Sequence, residues 1–490
     1  MSEPTSNRIL FAASEAFPLI KTGGLGDVAG SLPRALLGLK QDVRLILPAY
    51  VDVLARVGRL KTVAEFTLRH YPVRLLAGNL PGTRVPVWLI DCPELYDRQG
   101  NPYLGPDGKP WPDNAWRYTI FAEAVVQVAS NQLGLDWQPD VVHCNDWQTG
   151  LIPALLSQQA QRPATVFTIH NLAYQGTFPH QTFLDLGLSP ELWHLDALEY
   201  HGQLSFIKGG LVFADRINTV SPSYAREIQT PEFGSGLDGL LRHRQAALSG
   251  ILNGIDTKEW NPGTDSFLAE TYNRRSFANK AVNKSALQQN LGLQPDANTL
   301  LIGFVGRLVE QKGVDILLDG MKEILSLPVQ LAMLGSGEAQ FEKAMLEVAK
   351  LHAGRVTVKI GYSESLAHQI EAGADVFLMP SRFEPCGLNQ MYSMRYGTPP
   401  VVRHVGGLAD TVIDASEANL SAKTATGFVF SGERGTDLYK ALARACDLYD
   451  DKRKWKSIQL TGMGHDFSWQ NSAQEYLKLY NAAIRENPAV

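Results

Sequence analysis

The sequence predicts an α/β protein built from two doubly wound domains, each with a parallel sheet between layers of helices. Short, nearly continuous runs of valine, isoleucine and leucine alternate with helical patterns along the chain, which is typical of buried parallel strands. The alternation restarts after residue 250. A length of 490 residues also exceeds what one core normally organises, so two or more domains are expected.

The predicted strands form two series, one in each half of the chain. The first series comprises residues 9–13, 43–47, 85–90, 141–143, 165–169 and 216–219. The second series comprises residues 300–305, 330–334, 356–360, 376–379 and 400–402. A short glycine-containing segment around residues 248–254 separates them, so we predict that the first domain covers residues 1–248 and the second begins at residue 249.

Composition excludes several classes of function. Hydrophobic residues make up 44% and charged residues 19% of the chain, as in a folded globular protein. The net charge of −5 gives no reason to expect nucleic acid or a membrane as a partner. Neither a signal or transit peptide nor an apolar run of about 18 residues is found. Four dispersed cysteines lack metal-ligand spacing, so we expect a cytoplasmic protein without a metal site.

The most informative segment is residues 21–30, which read Lys-Thr-Gly-Gly-Leu-Gly-Asp-Val-Ala-Gly between a predicted strand and a helix over residues 31–37. Gly23 and Gly24 would let a ligand approach the backbone, helix N–H groups favour anions, and Lys21 adds positive charge. The alternative is a tight turn that binds nothing. A dinucleotide fingerprint is disfavoured because residues 15–22 separate the glycines from the strand.

Polar residues follow many of the predicted strands directly. Ligands bind outside the carboxyl ends of the strands in doubly wound sheets. The candidate segments are residues 14–15, 145–148, 170–171, 306–313, 335–338, 361–364 and 380–387. Because they occur in both predicted domains, we expect a ligand-binding cleft between the two sheets.

Arg307 and Lys312 carry fixed positive charge at one of these strand ends. A diphosphate leaving group needs such neutralisation, either from a metal ion or from Arg and Lys. An Asp-x-Asp pair, a common anchor for such a metal, is absent from the sequence. We therefore predict that the two cations and helix N-termini replace a metal, the alternative being a solvated lysine and a surface ion pair.

Glu384 lies in a Pro- and Gly-containing loop after another predicted strand, where its carboxylate could accept hydrogen bonds from sugar hydroxyls. Gly387 and Leu388 could present helix N–H groups to a phosphate. The alternative for Glu384 is a helix cap. Cys386 has no basic neighbour in the sequence and is interpreted as a packed small residue rather than a nucleophile.

His170 and Asn171 follow one strand of the first series, and Asp146 and Trp147 follow another. A carboxylate, an aromatic plane, an imidazole and an amide together are typical of a sugar site. The alternatives are a structural histidine and a tryptophan packed in the core. Tyr362 could stack on a nucleobase.

These motifs resemble the starch/glycogen synthase family along nearly the whole chain. The resemblance is carried by residues 21–28 (Lys-Thr-Gly-Gly-Leu-Gly-Asp-Val), 143–147 (His-Cys-Asn-Asp-Trp), 168–171 (Thr-Ile-His-Asn), 253–256 (Asn-Gly-Ile-Asp), 306–308 with 311–313, and 381–388 (Ser-Arg-Phe-Glu-Pro-Cys-Gly-Leu). Residues 467–469 also resemble the family's crossing back to the first domain, which implies that the second domain ends at residue 466 and that a helix over 467–490 joins the first.

The resemblance implies a GT-B fold and transfer of glucose, with retention, from ADP-glucose to the non-reducing 4-hydroxyl of glycogen or maltooligosaccharides, without a metal cofactor. The implied catalytic residues are Asp146, His170, Arg307, Lys312 and Glu384. The implied donor-binding residues are Lys21, Gly23, Gly24, Arg307, Lys312, Tyr362, Gly387 and Leu388. The implied sugar and acceptor residues are Glu15, Asp27, Asp146, Trp147, His170, Asn171 and Asn253.

Three positions depart from the family's pattern and receive no role. Tyr392 stands where many relatives have a second glutamate, Asn389 where threonine is common, and Gln148 where some have histidine. Two other functions remain alternatives: another GT-B enzyme, such as a sucrose synthase-like transferase or a phosphorylase, and a catalytically silent α-glucan-binding protein. The choice between ADP- and UDP-glucose, the preferred acceptor length and the oligomeric state stay open.

Overall fold

The computed structural model describes residues 6–487 and divides the chain into two compact units. Unit 1 comprises Met1–Gly254 and Trp469–Val490, and unit 2 comprises Ile255–Ser468. The sequence-based boundaries were residues 248/249 and 466/467. A short strand over Leu248–Gly250 pairs with the strand Arg216–Thr219 in the sheet of unit 1. Unit 1 therefore extends beyond the predicted boundary at residue 248.

Unit 1 contains a nine-stranded sheet and a small three-stranded sheet. The strands are β1 (Arg8–Ala12), β2 (Asp42–Pro48), β3 (Lys61–Leu68), β4 (Tyr71–Asn79), β5 (Pro86–Asp91), β6 (Val141–Asn145), β7 (Ala164–Ile169), β8 (Thr177–Pro179), β9 (Glu199–Tyr200), β10 (Gln203–Ser205), β11 (Arg216–Thr219) and β12 (Leu248–Gly250). The large sheet has the order β12-β11-β7-β6-β1-β2-β5-β4-β3, and the small one β8-β10-β9.

The helices of unit 1 pack against both of its sheets. They are α1 (Gly24–Gly38), α2 (Val51–Val57), α3 (Pro93–Tyr96), α4 (Asn114–Ala129), α5 (Leu151–Leu156), α6 (His180–Asp185), α7 (Phe206–Phe213), α8 (Pro222–Glu227), α9 (Asp238–His243) and α20 (Trp469–Glu486), with 3₁₀ turns at Trp147–Thr149 and Pro190–Leu192. The strands at the centre are buried, apart from Arg8 at the start of β1, because helices lie on both faces.

The predicted parallel sheet is present in unit 1, but one edge departs from the prediction. Strand β1 pairs in parallel with β2 and β6, and β2 pairs in parallel with β5, whereas β4 pairs antiparallel with both β3 and β5. Strand β3 exposes most of its side chains, so it lacks the continuous apolar run that identified the other strands. The antiparallel β3–β4 hairpin therefore extends the predicted parallel sheet at one edge and was not itself predicted.

Unit 2 contains a six-stranded sheet whose strands all run parallel. The strands are β13 (Leu300–Val305), β14 (Val329–Gly335), β15 (Val356–Ile360), β16 (Val376–Met379), β17 (Pro400–Arg403) and β18 (Phe428–Phe430). Their order, β15-β14-β13-β16-β17-β18, is the doubly wound order of nucleotide-binding sheets.

Helices α10 to α19 belong to unit 2. They are α10 (Lys280–Leu291), α11 (Val314–Asp319), α12 (Met321–Ile324), α13 (Ala339–Leu351), α14 (Glu364–Gly373), α15 (Asn389–Arg395), α16 (Gly406–Thr411), α17 (Glu417–Ala422), α18 (Gly435–Asp450) and α19 (Lys452–Gly462), with 3₁₀ turns at Phe277–Asn279 and Glu310–Lys312. No helix within residues 6–487 is long and apolar enough to span a membrane.

Helix α20 completes unit 1 from the far end of the sequence. Tyr476 and Tyr480 on this helix are fully buried. The Tyr480 hydroxyl lies 2.8 Å from Nδ1 of His143 on β6, and the Tyr476 hydroxyl accepts a hydrogen bond of 3.0 Å from Nδ2 of Asn218 on β11. These contacts attach α20 to the large sheet of unit 1.

Candidate functional site

The topology of unit 1 brings two strand ends together at the centre of its sheet. Strand β1 lies between β2 and β6, and the chain winds outward through β2 and β5 on one side and through β6, β7, β11 and β12 on the other. The point where the winding direction changes is where doubly wound sheets bind ligands. The glycine segment follows β1, and Asp146 follows β6.

Helix α1 begins at Gly24, earlier than the predicted start at residue 31, so most of the glycine-rich segment belongs to its first turns. Gly23 is the N-cap residue and its backbone is extended. Lys21 and Asp27 form an ion pair with 2.7 Å between Nζ and Oδ1. The N-terminus of α1 and the Lys21 ammonium together favour an anion at this strand end.

Glu15 shapes the segment that leads into α1. Its carboxylate accepts hydrogen bonds from the backbone N–H of Thr22 and, at 2.8 Å, from the Thr22 hydroxyl. Burial raises the pKa of Glu15 to about 7, although the bonds from Thr22 oppose that shift. Glu15, which was predicted to bind sugar, thus forms hydrogen bonds with Thr22 of the glycine segment.

Asp146 lies at the end of β6, the strand that neighbours β1. Its backbone is left-handed (φ +57°), a conformation that few non-glycine residues adopt. Its Oδ1 accepts a hydrogen bond of 2.7 Å from the backbone N–H of His170 and a longer one of 3.5 Å from that of Asn171. Burial raises the pKa of Asp146 to about 7, and the nearby Glu15 carboxylate contributes. Asp146 therefore links the ends of β6 and β7.

His170 is neutral in this environment because burial lowers its pKa to about 3. Its Nε2 lies 2.9 Å from Oδ1 of Asn145, whose Nδ2 donates to the Ala12 carbonyl at 3.0 Å. Asn145 thus presents an acceptor, so the proton of the imidazole is on Nε2. Asn171 lies next in the chain and accepts a hydrogen bond from the Ala173 N–H.

The remaining predicted residues of unit 1 are partly or fully enclosed. Trp147 packs against aromatic rings, with 5.0 Å between its ring centroid and that of Tyr118. Asn253 and Gln148 are each 5% exposed. Within residues 6–487, neither Oδ1 of Asn253 nor Oε1 of Gln148 has a hydrogen-bond partner. Each therefore offers an unused acceptor, which the sequence alone did not reveal for Gln148.

Unit 2 has its own switch point, between β13 and β16. Lys312 follows β13 and Glu384 follows β16. Nζ of Lys312 lies 2.6 Å from Oε2 of Glu384, and the Ser381 hydroxyl donates to the same oxygen at 3.0 Å. The structure thus brings together the predicted cation and the predicted sugar-binding carboxylate.

Two glycines allow the loops around the Lys312–Glu384 pair to pack closely against each other. Gly313 has a φ of +70°, and a β-carbon there would lie 2.0 Å from the Pro380 carbonyl oxygen. Gly406 has a φ of +43°, and a β-carbon there would lie 1.9 Å from the Glu384 carbonyl oxygen. Neither position has room for a side chain, so both backbone approaches depend on glycine.

The other predicted residues of unit 2 follow the ends of β13, β15 and β16. Arg307 is exposed and donates from Nη2 to Oε1 of Gln311 at 3.0 Å. Gly387 and Leu388 directly precede α15, and Leu388 is its N-cap residue. Asn389 donates from Nδ2 to the Val305 carbonyl at 2.8 Å, so it ties α15 to β13. Tyr362, after β15, is 81% exposed.

Sequence reasoning missed an aromatic stack in unit 2. The Trp260 ring lies between Tyr392, at 3.8 Å, and His368, at 4.0 Å, with nearly parallel planes. Tyr392, which received no role, is a packing residue in this stack. The three residues are far apart in the sequence, and no local pattern connects them.

The structure places Glu15 and Asp146 near the switch point of unit 1 and Lys312 and Glu384 at that of unit 2, whereas Tyr362 lies at the edge of the unit 2 sheet, and the roles of all these residues remain predictions. Across residues 6–487, no group of three or more His, Cys, Asp and Glu side chains is placed to hold a metal ion. The four cysteines, Cys386 among them, are buried and take part in no disulfide bond.

Comparison with known proteins agrees with this arrangement. The model of the starch synthase catalytic domain matches residues 8–243, and that of glycosyl transferases group 1 matches residues 288–458. The catalytic domain of starch synthase IV from Arabidopsis thaliana, solved with ADP and acarbose bound, has a TM-score of 0.88 at 32% identity. That likeness covers 98% of this chain and 100% of the other.

Relatives in bacteria are closer in sequence. Glycogen synthase 1 of Methylococcus capsulatus is 56% identical over 479 residues, which are 97% of each chain. Glycogen synthase of Cellvibrio japonicus is 58% identical over 474 residues, which are 96% of this chain and 98% of the relative. The predicted family and fold class are confirmed. This chain belongs to the starch/glycogen synthase family of glycosyltransferases and has the GT-B fold.

Proposed function

We infer that this chain is a glycogen synthase, which transfers glucose with retention from ADP-glucose to the non-reducing 4-hydroxyl of an α-1,4-glucan in the cytoplasm. The observation that carries the inference is identity above one half, over nearly the whole length of both chains, to proteins named glycogen synthase. The ADP and acarbose bound by the Arabidopsis enzyme support a nucleotide and a glucan as ligands.

Unit 2 would hold the donor. The Lys312–Glu384 pair lies at its switch point, where a doubly wound sheet binds nucleotides. In the proposed reaction Lys312 and Arg307 stabilise the charge that develops on the departing ADP, and Glu384 accepts a hydrogen bond from the transferred glucose. Because two fixed cations can neutralise a diphosphate, the proposed reaction uses no metal ion.

Unit 1 would supply groups that bind the sugars. Lys21 and the N-terminus of α1 favour the donor diphosphate, while Asp146, Asn171 and the acceptor atoms of Asn253 can bind hydroxyl groups. His170 has a pKa of about 3 and so stays unprotonated at neutral pH. Its proposed role is therefore to orient the sugar, and proton transfer by its side chain is not part of the reaction.

The test is incorporation of labelled glucose into glycogen and maltooligosaccharides from ADP-glucose and from UDP-glucose, with and without a chelator. We expect transfer from ADP-glucose that the chelator does not change. Retained glycogen binding without incorporation would identify a silent binding protein instead, and strong inhibition by the chelator would contradict the metal-free diphosphate site.

The Lys312→Ala variant tests the site itself. Loss of a charge that stabilises the leaving group should lower kcat about 100-fold. The matched control is Lys322→Ala, since Lys322 is an exposed lysine of α12 and should leave kcat unchanged. Full activity of Lys312→Ala would remove Lys312 from the mechanism.

A further inference from the structure

The loop after β15 presents an aromatic ring to solvent at the edge of the unit 2 sheet. Tyr362 is 81% exposed, although large hydrophobic side chains are mostly buried in this unit. The backbone N–H of Gly361 donates to the Gly335 carbonyl at 3.0 Å, which fixes the loop to the end of β14. The ring is therefore held at a strand end, although nothing in this unit covers most of its surface.

Glu364, in the first turn of α14, lies at the hydroxyl end of this ring. Its Oε2 accepts a hydrogen bond from the Tyr362 hydroxyl. Its Oε1 forms an ion pair with Nε2 of His368 at 3.4 Å. The Glu364 side chain is still 38% exposed, and a carboxylate has about four acceptor positions. It can thus accept a further hydrogen bond from a ligand.

His368 holds this carboxylate from the protein interior. Its side chain is 2% exposed, and its Nδ1 lies 2.7 Å from Oδ2 of Asp265. Burial lowers the pKa of His368, but the bonds to Asp265 and Glu364 outweigh burial and raise it to about 9. The imidazole is consequently cationic at neutral pH, and Trp260 stacks on its face at 4.0 Å. Glu364 thus lies beside a buried, positively charged neighbour.

We propose that Glu364 selects a donor whose nucleobase carries an exocyclic amino group, by accepting a hydrogen bond from that group while the base stacks on Tyr362. The inference rests on the proposed function, because it takes the base of the donor to lie at the end of β15. Strands β13 and β15 are separated by two strand spacings of about 4.8 Å each. A ribose and its phosphates can bridge that separation from Lys312 to Tyr362.

The chemistry of the bases explains why the carboxylate discriminates. Adenine presents an amino donor on the edge where a pyrimidine such as uracil presents a carbonyl acceptor. A carboxylate is only an acceptor, so it attracts the amino group and repels the carbonyl oxygen. Glu364 would accordingly favour ADP-glucose over UDP-glucose, a choice that the sequence left open.

The test measures the contribution of the amino group alone. Calorimetric titration with ADP and with purine riboside 5′-diphosphate, which lacks only that amino group, gives a ratio of affinities for each protein. We expect the unsubstituted enzyme to bind ADP about tenfold more tightly. In Glu364→Ala the ratio should fall to about one. The control Glu347→Ala, at an exposed position of α13, should keep the tenfold ratio.

The outcomes separate this inference from the proposed function. If the enzyme binds no ADP and transfers no glucose from ADP-glucose, both are overturned. If it binds ADP and transfers glucose but the ratio is the same in Glu364→Ala, only the inference is overturned. A ratio near one in the unsubstituted enzyme also overturns it. Partial misfolding lowers the number of binding sites for both ligands equally and leaves the ratio unchanged.

His368 is a positioning residue in this proposal, since it acts through Glu364. His368→Gln keeps a polar side chain but removes the cation, so the ratio should fall to about threefold. An unchanged ratio in His368→Gln would show that Glu364 needs no charged support.

Discussion

At the scale of single residues, the most unusual feature is the pair of buried acids at the unit 1 switch point. Glu15 is 3% exposed, and both Glu15 and Asp146 have a pKa of about 7. Each accepts hydrogen bonds from backbone N–H groups, which makes a buried carboxyl group tolerable. The two side chains therefore titrate near neutral pH.

This titration predicts how stability depends on pH. The folded pKa of Glu15 exceeds its unfolded value of 4.5, so the folded state binds more protons between pH 4.5 and about 7. Stability contributed by Glu15 is thus fully present below pH 4.5 and is lost as the pH rises to about 7. Glu15→Gln should reduce the decline in the free energy of unfolding between pH 5 and pH 8 by about 2 kcal/mol, as measured by urea unfolding.

A suitable control is Glu94→Gln, since Glu94 is exposed on α3 and its substitution should preserve the pH dependence. Equal slopes of stability against pH for Glu15→Gln and the unsubstituted protein would show that Glu15 is already ionised in the folded state at pH 5.

Site residues that directly follow strands were predictable from the sequence. Contacts between residues from distant segments were not. Lys312 and Glu384 could be placed because each follows an apolar strand, and parallel strands end at one edge of a sheet. The contact of His368 with Asp265 joins residues far apart in the chain. No periodicity in the sequence encodes that contact, and the support of Glu364 was therefore not predictable.

At the scale of elements, the turn between β13 and α11 determines where Lys312 lies. Lys312 ends a 3₁₀ turn, and Gly313 immediately follows it with a left-handed backbone. Gly313→Ala would bring a β-carbon to 2.0 Å from the Pro380 carbonyl oxygen, so the turn must move. We expect Gly313→Ala to lower both the melting temperature and kcat, because Lys312 moves with the turn.

Gly292 provides a closely matched control for this substitution. Its φ of +68° is nearly that of Gly313, but no atom lies within 4 Å of a β-carbon built there. Gly292→Ala should therefore cost only the conformational strain of about 1–2 kcal/mol and leave kcat unchanged. Equal losses of activity in both variants would show that strain in the backbone, and not contact with Pro380, is responsible.

Element types were predictable where burial is uniform. Every strand predicted in unit 2 is present, because parallel strands covered on both faces consist of continuous apolar runs. The β3–β4 hairpin and the short strands β8 to β10 escaped detection, since they are partly exposed or too short to show a pattern. The start of α1 was also misplaced, because glycines are poor helix formers and masked its first turn.

At the scale of the whole molecule, unit 1 depends on a helix from the end of the chain. Tyr480→Phe would remove the hydroxyl that lies 2.8 Å from Nδ1 of the fully buried His143. An unsatisfied buried nitrogen costs about 1–3 kcal/mol. Hydrogen exchange measured by mass spectrometry should accordingly become faster in β6 and β7, while unit 2 is unaffected.

Tyr439→Phe, in helix α18 of unit 2, serves as the control and should leave exchange in β6 and β7 unchanged. Slow exchange in β6 and β7 of Tyr480→Phe, equal to that of the unsubstituted protein, would mean that α20 is not needed to stabilise the sheet.

The dependence of unit 1 on α20 also sets an order for biosynthesis. All of unit 2, Ile255–Ser468, leaves the ribosome before the helix that buries Tyr476 and Tyr480 against the sheet of unit 1. Domains usually fold as they emerge, the N-terminal one first. In this protein the sheet of unit 1 is incompletely covered while unit 2 is being synthesised. The newly made chain can thus complete unit 2 before the sheet of unit 1 is fully covered by α20.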